Sequence, residues 1–401
     1  MAFFNMDQRR ADKRFPLRPT RRQFLAAAGV AGIGGGQGYV SALGTVDPSV
    51  MSLRKLASDI RFRIGSLHYL DAWIPDPTVL ERHKSVMARE FNLAVIDSGP
   101  LHWGGYGSLR PAPDQFEFGP VDEAVSFAEE HRMVIEGHHL AWGRQDALPQ
   151  WLLTGGYSGE SLLEILDDHV RTVVGRYEGR IRQWSVVNEP FEDDGSYKTG
   201  PDRWGWWNDH SPWTNGIDPD YIEVALRAAH EADPDARLFI NEYAAEELTP
   251  KSDALYALVG RLKERDVPIH GIGMQMHLPS GPALPDKASV VANMRRFYED
   301  LGVRIYVTEC DVNISSQIAA VPGSTQEERY ESQAHVYQAM LDACLESEAC
   351  RSFAVFGFWD PASWLTLSGF PDASACLFDE SWKAKPAYTA LQDVLAAAER
   401  A

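Results

Sequence analysis

Two glutamates, each at the end of an apolar run, are the residues of this sequence best suited to chemistry. Glu189 ends the run that begins at Ile181, and Glu309 ends the run that begins at Val303. Two carboxyl groups that face one gap can break a glycosidic bond, because one protonates the leaving oxygen and the other traps the sugar carbon. Cleavage with retention needs the two groups about 5–5.5 Å apart. The pair therefore favours glycoside cleavage.

Polar residues next to these glutamates would support that chemistry. The Asn188 amide, directly before Glu189, would hold a sugar hydroxyl beside the reacting carbon. We expect His277 to bond Glu309 and Asp311 to orient this histidine, which keeps the nucleophile ionised and in place. A nearby Glu309 carboxylate would raise the pKa of Glu189, and the rate would fall at high pH as Glu189 loses its proton. Taken singly, each residue is more often structural, and their coincidence at matching strand ends favours a site.

The elements that must position these residues alternate along the chain. Apolar runs with strand character are separated by segments of helical periodicity, such as the buried stripe predicted for the segment 221–232. Eight strands alternating with eight helices predict a single (β/α)8 barrel of the α/β class, in which active sites gather at the C-terminal strand ends. The predicted strands lie near 61–67, 93–97, 133–138, 182–188, 237–242, 271–276, 303–308 and 352–358.

Tryptophans follow several predicted strands and offer surfaces for sugar rings. The flat C–H faces of a sugar stack on indole, while its hydroxyls need polar partners at the edges. We expect Trp142 and Trp364 to bind sugar, whereas for the segment 203–213 we favour packing of loops on one another. The tryptophans placed after strands are Trp103, Trp142, Trp206, Trp207, Trp213, Trp359 and Trp364.

The N-terminus differs in composition from the rest. Residues 1–42 combine a basic segment, a pair of arginines at Arg21 and Arg22, a short Ala/Gly-rich apolar stretch and small residues at its end. This pattern predicts a twin-arginine-type signal peptide followed by a catalytic barrel domain at 43–401. The alternative is a membrane anchor, but the apolar stretch is short and rich in glycine. We therefore expect export to the periplasm or beyond, with no stable membrane association after cleavage.

Charge and cysteine content limit the partners. The chain of 401 residues has 38 Lys and Arg against 57 Asp and Glu, a formal net charge of −19, which disfavours nucleic acid and anionic surfaces. No Cys/His set has metal-site spacing, so we expect no metal ion or cofactor. We also expect the protein to be a monomer. Cys344 and Cys350 enclose a short loop and would form a disulfide in an oxidising compartment, leaving Cys310 and Cys376 as buried thiols.

Beyond these patterns, the sequence resembles glycoside hydrolase family 10, typified by endo-β-1,4-xylanases, over roughly residues 55–395. Besides the segment 221–229, which resembles the family's Y-I-E-I-A-F-R-A-A, six motifs carry the resemblance, and they include both glutamates. The motifs are G-H-H-L-A-W at 137–142 (family G-H-T-L-V-W), W-S-V-V-N-E at 184–189 (W-D-V-V-N-E), L-F-I-N-E-Y at 238–243 (L-Y-I-N-D-Y), G-I-G-M-Q-M-H-L at 271–278 (G-I-G-S-Q-S-H-L), V-T-E-C-D-V at 307–312 (I-T-E-L-D-V) and D-P-A-S-W at 360–364 (D-x-x-S-W).

The resemblance implies roles for individual residues. It makes Glu189 the acid/base and Glu309 the nucleophile of a double-displacement reaction on xylan, with His277 and Asp311 supporting the nucleophile. Cys344 and Cys350 match a disulfide found in many members of the family. The implied partner is a polysaccharide or oligosaccharide. The substrate-binding residues are expected to be His138, Trp142, Gln145, Asn188, Tyr243, Gln275 and Trp364.

Departures from the family leave the substrate open. The family's E-N-E-M-K-W after the second strand is replaced by the segment 96–103, in which only Trp103 clearly corresponds, and Phe356 takes the place of a tryptophan in the last strand. Xylan is the expected substrate, and a decorated xylan or another β-linked glycan is the alternative. A non-catalytic carbohydrate-binding protein is disfavoured by the intact pair of glutamates. A metal-dependent hydrolase is disfavoured because no His-rich set stands at the strand ends.

Overall fold

A computed structural model describes most of the chain beyond residue 50. The predicted signal segment, and with it the choice between signal and anchor, lies outside the described residues, as do Gln145, Trp206 and Trp207. No helix within the described ranges combines the length and apolar character needed to cross a membrane. The described residues are 51–68, 74–97, 101–104, 108–144, 147–198, 213, 220–280, 285–315, 324–368, 370 and 372–399.

The strands of the described residues form one closed parallel sheet. The order is β6-β5-β4-β3-β2-β1-β9-β8-β7, and an additional β6–β8 pairing closes the ring. The short β7 follows β6 after a break at residues 275–276, so the two fill one position, and the predicted (β/α)8 barrel is confirmed. The strands are β1 (Arg63–Leu67), β2 (Leu93–Ile96), β3 (Val134–Trp142), β4 (Gln183–Asn188), β5 (Arg237–Glu242), β6 (Gly271–Met274), β7 (His277–Pro279), β8 (Arg304–Asn313) and β9 (Cys350–Val355).

Helices cover the outside of the barrel and bury one face each. In α6 the stripe of Ile222, Ala225, Leu226 and Ala229 is fully covered, as its spacing predicted. Side-chain caps define several starts, for example the reciprocal Thr249–Ser252 bonds at α7. The helices are α1 (Leu53–Asp59), α2 (Pro77–Glu90), α3 (Gly119–Glu130), α4 (Gln150–Thr154), α5 (Gly159–Arg176), α6 (Tyr221–Ala232), α7 (Pro250–Glu264), α8 (Lys287–Leu301), α9 (Gln326–Glu346), α10 (Trp364–Leu367) and α11 (Pro386–Glu399), with a 3₁₀ turn at Asp360–Ala362.

A close approach between β3 and β4 explains one glycine of the sequence motifs. A Cβ atom on Gly137 would lie 2.1 Å from the ring of Trp184, which is fully buried. Any other residue at this position would push the indole away and separate the two strands. The glycine therefore fixes the spacing of the strands that end at the site, and β3 carries His138 next to it.

A disulfide joins the end of α9 to the start of β9. The sulfurs of Cys344 and Cys350 are bonded, while Cys310 and Cys376 are buried free thiols, so both predictions about the cysteines are confirmed. The bridge holds the last strand of the barrel to the helix that precedes it.

Removing this bridge is expected to lower the free energy of unfolding by about 2 kcal/mol, because the bonded cysteines are separated by 6 positions and close only a short loop of the unfolded chain. Urea unfolding of the Cys344→Ser/Cys350→Ser double variant measures the loss. A reductant should destabilise the wild type and leave the double variant unchanged. Equal sensitivity of both proteins would place the reducible group elsewhere.

Candidate active site

Both glutamates lie at the C-terminal mouth of the barrel. Glu189 directly follows β4, with a left-handed backbone (φ 54°). Glu309 lies within β8, which runs on to Asn313 and changes register with β9 between Val307 and Cys310. The carboxyl group of Glu309 is almost completely enclosed, and that of Glu189 is slightly more open. The mouth therefore presents two sheltered carboxyl groups from different strands.

A chain of side-chain amides connects the two glutamates. Asn241 donates from Nδ2 to Glu309 Oε1 at 2.7 Å and to Asn188 Oδ1 at 2.8 Å. Gln275 donates from Nε2 to the same Asn188 oxygen at 3.3 Å and to Glu189 Oε1 at 3.1 Å. Thr308 Oγ1 donates to Asn241 Oδ1, the side-chain oxygen of this amide, at 2.7 Å. Because each amide is held by a neighbour, the two carboxyl groups are fixed relative to one another.

Histidines flank the second carboxyl group on both of its oxygens. His138 Nε2 lies 3.3 Å from Glu309 Oε1, and His277 Nε2 lies 3.2 Å from Glu309 Oε2. His277 Nδ1 lies 3.1 Å from Asp311 Oδ2, which also accepts a 2.6 Å bond from Trp364 Nε1. The structure thus brings His277 and Asp311 to Glu309 in the arrangement expected from the sequence.

The two histidines carry different charges. Burial alone would lower the pKa of His277, but Asp311 and Glu309 together raise it well above its ordinary value. Burial lowers the pKa of His138 to about 4, in spite of the nearby Glu309. At neutral pH His277 is therefore a cation and His138 a neutral ring, so one side of Glu309 is ion-paired.

The charge state of Glu189 is opposite to the sequence-based prediction. Burial raises its pKa, but the charge of Lys198, the Gln275 hydrogen bond and the charges of Lys251 and Arg144 lower it by more. The net result is a fall in the pKa from 4.5 to about 2. The prediction that Glu309 keeps Glu189 protonated is wrong for the free protein. The reason is Lys198, whose Nζ lies 3.2 Å from Glu189 Oε2.

Two of the predicted substrate-binding aromatics border the mouth with partly accessible rings. Trp142 is the last residue of β3, and an Arg144 guanidinium lies 5.0 Å from its ring. Trp364 begins α10 and is held by its bond to Asp311. Tyr243 lies between two ammonium groups, with Lys251 Nζ 3.0 Å and Lys198 Nζ 4.8 Å from its ring centroid.

Three other tryptophans are packing residues. Trp103 donates to Leu140 O at 2.7 Å and stacks on a buried histidine. Trp213 is fully buried and donates to Trp142 O at 3.2 Å, as favoured for the end of its segment. Trp359 stacks on Trp382 with centroids 4.4 Å apart. Trp103 and Trp213 support Trp142, and these three residues are called the aromatic wall below.

The rebuilt segment after β2 places a histidine in this wall. His102 directly precedes Trp103, where the family pattern has a lysine, and it is buried with its ring 5.5 Å from that of Trp142 and 5.6 Å from that of His139. Burial, with the charge of Arg144, lowers its pKa well below the ordinary value. A neutral imidazole therefore replaces a cation beside the aromatic wall.

A buried carboxyl group lies two residues before His138 along β3. Glu136 is fully buried and accepts a 2.5 Å bond from Gln183 Nε2 at Oε2, and within the described residues no hydrogen bond reaches its Oε1. Burial raises its pKa from 4.5 to about 8; the Gln183 bond lowers it slightly and the Glu309 charge raises it. Glu136 is therefore largely protonated at neutral pH.

Sequence reasoning missed Lys198, Arg144 and Glu136 as parts of this site. Lys198 had a signal, because Asp194 and Gly195 form a turn dipeptide between Phe191 and Tyr197, which predicts a hairpin that returns toward Glu189. Within the described part of the chain, no group of three or more His, Cys, Asp or Glu side chains is arranged to hold a metal ion. The site is therefore built from carboxyl groups, amides, histidines and lysines.

Comparison with known proteins places this geometry in context. A family model described as Glycosyl hydrolase family 10 matches residues 66–394. Endo-1,4-beta-xylanase B of Thermotoga neapolitana is 36% identical over 361 residues, 89% of this chain and 94% of that protein. Native xylanase 10B from Thermotoga maritima superposes with a TM-score of 0.77 at 36% identity, over 87% of this chain and 99% of that one. Xylanase 10B from Thermotoga petrophila RKU-1, in complex with xylobiose, gives 0.76 at 35% identity, over 86% and 97%.

Proposed function

This chain belongs to glycosyl hydrolase family 10 and is a glycoside hydrolase, and from that premise we propose that it is a secreted, retaining endo-β-1,4-xylanase. The observation that carries the proposal is the pair Glu189 and Glu309, held at one mouth by a continuous chain of amides. The relatives named above are xylanases, and one was solved with xylobiose bound. These similarities support xylan as the substrate.

In the first chemical step, Glu309 attacks the anomeric carbon and the glycosidic bond breaks. His277, held by Asp311, fixes the attacking carboxylate, and Glu189 gives a proton to the leaving oxygen. Because Lys198 stabilises the Glu189 carboxylate, Glu189 must first take up a proton from solvent. An uncharged sugar beside Glu189 would displace water from the carboxylate and favour that uptake.

In the second step, water replaces the enzyme on the sugar carbon. Glu189, now a carboxylate, removes a proton from the water as the bond from the sugar to Glu309 breaks. Glu309 leaves as a carboxylate and Glu189 ends the step protonated, so release of that proton to solvent returns the enzyme to its starting state. Two inversions at one carbon give overall retention of configuration.

Export is the part of this proposal that rests on residues 1–42 alone. Their basic start, paired arginines and short apolar stretch support the twin-arginine route to the periplasm or beyond. A secreted enzyme acting on a neutral polymer also suits the acidic chain. Replacing Arg21 and Arg22 by lysine and measuring activity outside the cytoplasm tests this part, since the pair is required for the route. Unchanged export would reject it.

A panel of polymers tests the substrate. Reducing ends should appear rapidly from xylan and arabinoxylan and slowly or not at all from mannan and β-glucan. Early products should be oligosaccharides of mixed length, as random internal cleavage requires, and nuclear magnetic resonance of the first product should show the β-anomer. Xylose alone as the early product would contradict internal cleavage, an α-anomer would contradict retention, and faster cleavage of mannan or β-glucan would contradict xylan.

The neutral ring of His102 favours one alternative substrate for the same reaction, namely a decorated xylan or another β-linked glycan. Where the family pattern has a lysine for the sugars on the non-reducing side, this protein offers a neutral ring. Under this alternative, His102→Lys raises the rate on unsubstituted xylan and lowers it on the preferred polymer. An equal change in kcat/KM on all polymers would reject the alternative.

A further inference from the structure

A group of polar side chains points into the barrel beneath the nucleophile. It consists of Glu136 and His138 on β3 and Gln183 and Ser185 on β4, and we call it the interior cluster. In the register of the two strands, Glu136 lies opposite Gln183 and His138 lies opposite Ser185. Residues two apart in a strand share one face, and from this face His138 reaches Glu309. The interior cluster is therefore continuous with the nucleophile.

Three polar atoms of the interior cluster are buried without a hydrogen-bond partner among the described residues. They are Glu136 Oε1, His138 Nδ1 and Ser185 Oγ, on side chains that are almost completely enclosed. Buried polar groups are nearly always bonded, either to the protein or to an internal water molecule. An internal water molecule makes about three hydrogen bonds. Three such atoms on two neighbouring strands therefore suit one shared water molecule.

The ring of His138 needs a hydrogen-bond donor at Nδ1. The ring is neutral near pH 7, and a neutral imidazole carries only one N–H group. Its Nε2 faces the Glu309 carboxylate at 3.3 Å, so Nε2 carries the hydrogen and Nδ1 accepts. A bond at one ring nitrogen fixes the orientation of the ring and the proton on the other. The group that donates to Nδ1 therefore controls what His138 presents to Glu309.

Glu136 can supply this donor because its carboxyl group is largely protonated at neutral pH. Gln183 Nε2 donates to Oε2, which leaves the O–H group at Oε1, the oxygen without a partner. A protonated carboxyl group donates a hydrogen bond, whereas a carboxylate only accepts. Glu136 in its neutral form therefore offers an O–H group to the interior cluster.

The other titratable groups around Glu136 do not change charge near pH 8. They are His138 two positions along β3, and Tyr306 and the carboxylate Glu309 on β8. Burial lowers the pKa of His138 to about 4 and raises the pKa of Tyr306 to about 12. The charges of Arg237, Arg351 and Arg304 act on Tyr306.

We propose that Glu136 is a positioning residue for His138. Its neutral carboxyl group donates to an internal water molecule, which is shared with Ser185 Oγ and donates in turn to His138 Nδ1. The ring is then held as the donor to Glu309 Oε1, while His277 bonds the other oxygen. This inference rests on the proposed function, because it takes Glu309 as the nucleophile.

Two replacements of Glu136 test the need for a donor. Glu136→Gln offers an N–H group in place of the O–H group and should keep the wild-type kcat/KM on a dinitrophenyl xylobioside. Glu136→Met has a similar length but no donor, and should lower this kcat/KM by about 10- to 100-fold. The leaving group needs no proton, so the measurement reports the attack by Glu309. Equal losses in both variants, or no loss in Glu136→Met, overturn the inference.

The pH profile gives a readout that packing alone would not move. On the same substrate, the wild-type kcat/KM should fall as the pH rises through about 8, because the Glu136 carboxylate can no longer donate. Glu136→Gln has no proton to lose, and its profile should stay flat through this range. A fall of the same size in the wild type and in Glu136→Gln contradicts the role given to Glu136.

Two serine variants form a matched pair. Ser185→Ala removes one partner of the water molecule and should lower kcat/KM, by a smaller factor than Glu136→Met. Ser352→Ala removes another buried hydroxyl without a described partner, on β9 and outside the interior cluster, and should leave kcat/KM unchanged. Equal rates in the two serine variants overturn the inference. If Glu136→Met does not fold, this pair and the profile of Glu136→Gln decide.

Two measurements without turnover distinguish failure of the inference from failure of the proposed function. A crystal structure of the wild type should show a water molecule within hydrogen-bond distance of Glu136 Oε1, His138 Nδ1 and Ser185 Oγ. In protein labelled with nitrogen-15 at histidine, the His138 Nδ1 signal, assigned with His138→Gln, should move toward that of an unbonded ring nitrogen in Glu136→Met and stay in place in Glu136→Gln.

The outcomes of these two measurements do not depend on the substrate. Absence of the water molecule, or an unmoved Nδ1 signal in Glu136→Met, overturns the inference even if xylan is cleaved. Inactivity on every polymer, combined with the expected water molecule and signals, rejects only the proposed function.

Discussion

Glu309→Ala is expected to lower kcat on xylan by about 10⁴-fold or more, because no other group can form the bond to the sugar carbon. Within the described residues the Glu309 carboxyl contacts side chains, namely Asn241, His138 and His277, so its removal leaves the backbone contacts of the site in place. Rates on xylan, measured with folding confirmed by circular dichroism, give the result. Glu299→Ala, a loss of one exposed carboxyl group on α8, should leave the rate unchanged.

Added azide separates the roles of the two glutamates. With a dinitrophenyl xylobioside and azide, Glu309→Ala should give the α-azide, because the anion takes the place of the missing nucleophile and inverts the carbon. Glu189→Ala should give the β-azide, because the covalent intermediate still forms and azide replaces water in the second step. The opposite pattern would exchange the assigned roles of Glu189 and Glu309.

Glu136→Gln is expected to stabilise the protein more at alkaline than at acidic pH. The buried group has a folded pKa of about 8 against an ordinary value of 4.5, so the folded state binds a proton that the unfolded state releases between these values. Stability therefore falls as the pH rises from 4.5 to about 8, by at most about 5 kcal/mol. A glutamine keeps an oxygen for Gln183 Nε2 and has no proton to lose.

Unfolding midpoints of wild type and variant at pH 5 and pH 9 measure this effect. The gain from Glu136→Gln should be large at the higher pH and small or absent at the lower pH. Glu299→Gln changes one exposed carboxyl group in the same way and should show no pH-dependent gain. The same gain at both pH values would mean that packing, and not proton binding, limits stability at this position.

The barrel was predictable because its signal is repeated. Apolar runs such as 182–188 and 303–308 differ in hydrophobic period from the helical segments between them. Each run contributes one strand to the closed sheet, so the number of runs is enough to predict the barrel. Both glutamates stand where such a run stops, so the common mouth followed from the fold. The boundaries were less accurate, since β8 extends to Asn313, beyond the last apolar position.

The charge state of the site was not predictable in the same way. The sequence puts Glu189 and Glu309 in one place, which suggested a raised pKa for Glu189, but the nearest charge is a lysine that reaches the site through a hairpin outside the strands. Likewise, the burial of Trp103 depends on a stacking partner in α5, His169, which no local pattern connects to it. Contacts of this kind depend on tertiary packing.

The hairpin formed by residues 189–198 is closed by a backbone bridge, a ring stack and a hydrogen bond at its base, and it carries both Glu189 and Lys198. Glu189 and the lysine whose charge does most to lower its pKa are therefore encoded in one short stretch of chain. Exchange of this stretch between members of the family, together with Glu242 and Pro250, which contact it at its base and its tip, should transfer the pH dependence of the rate with it. The acidity of the donor can then be altered by segment grafting while the nucleophile side of the barrel is left untouched.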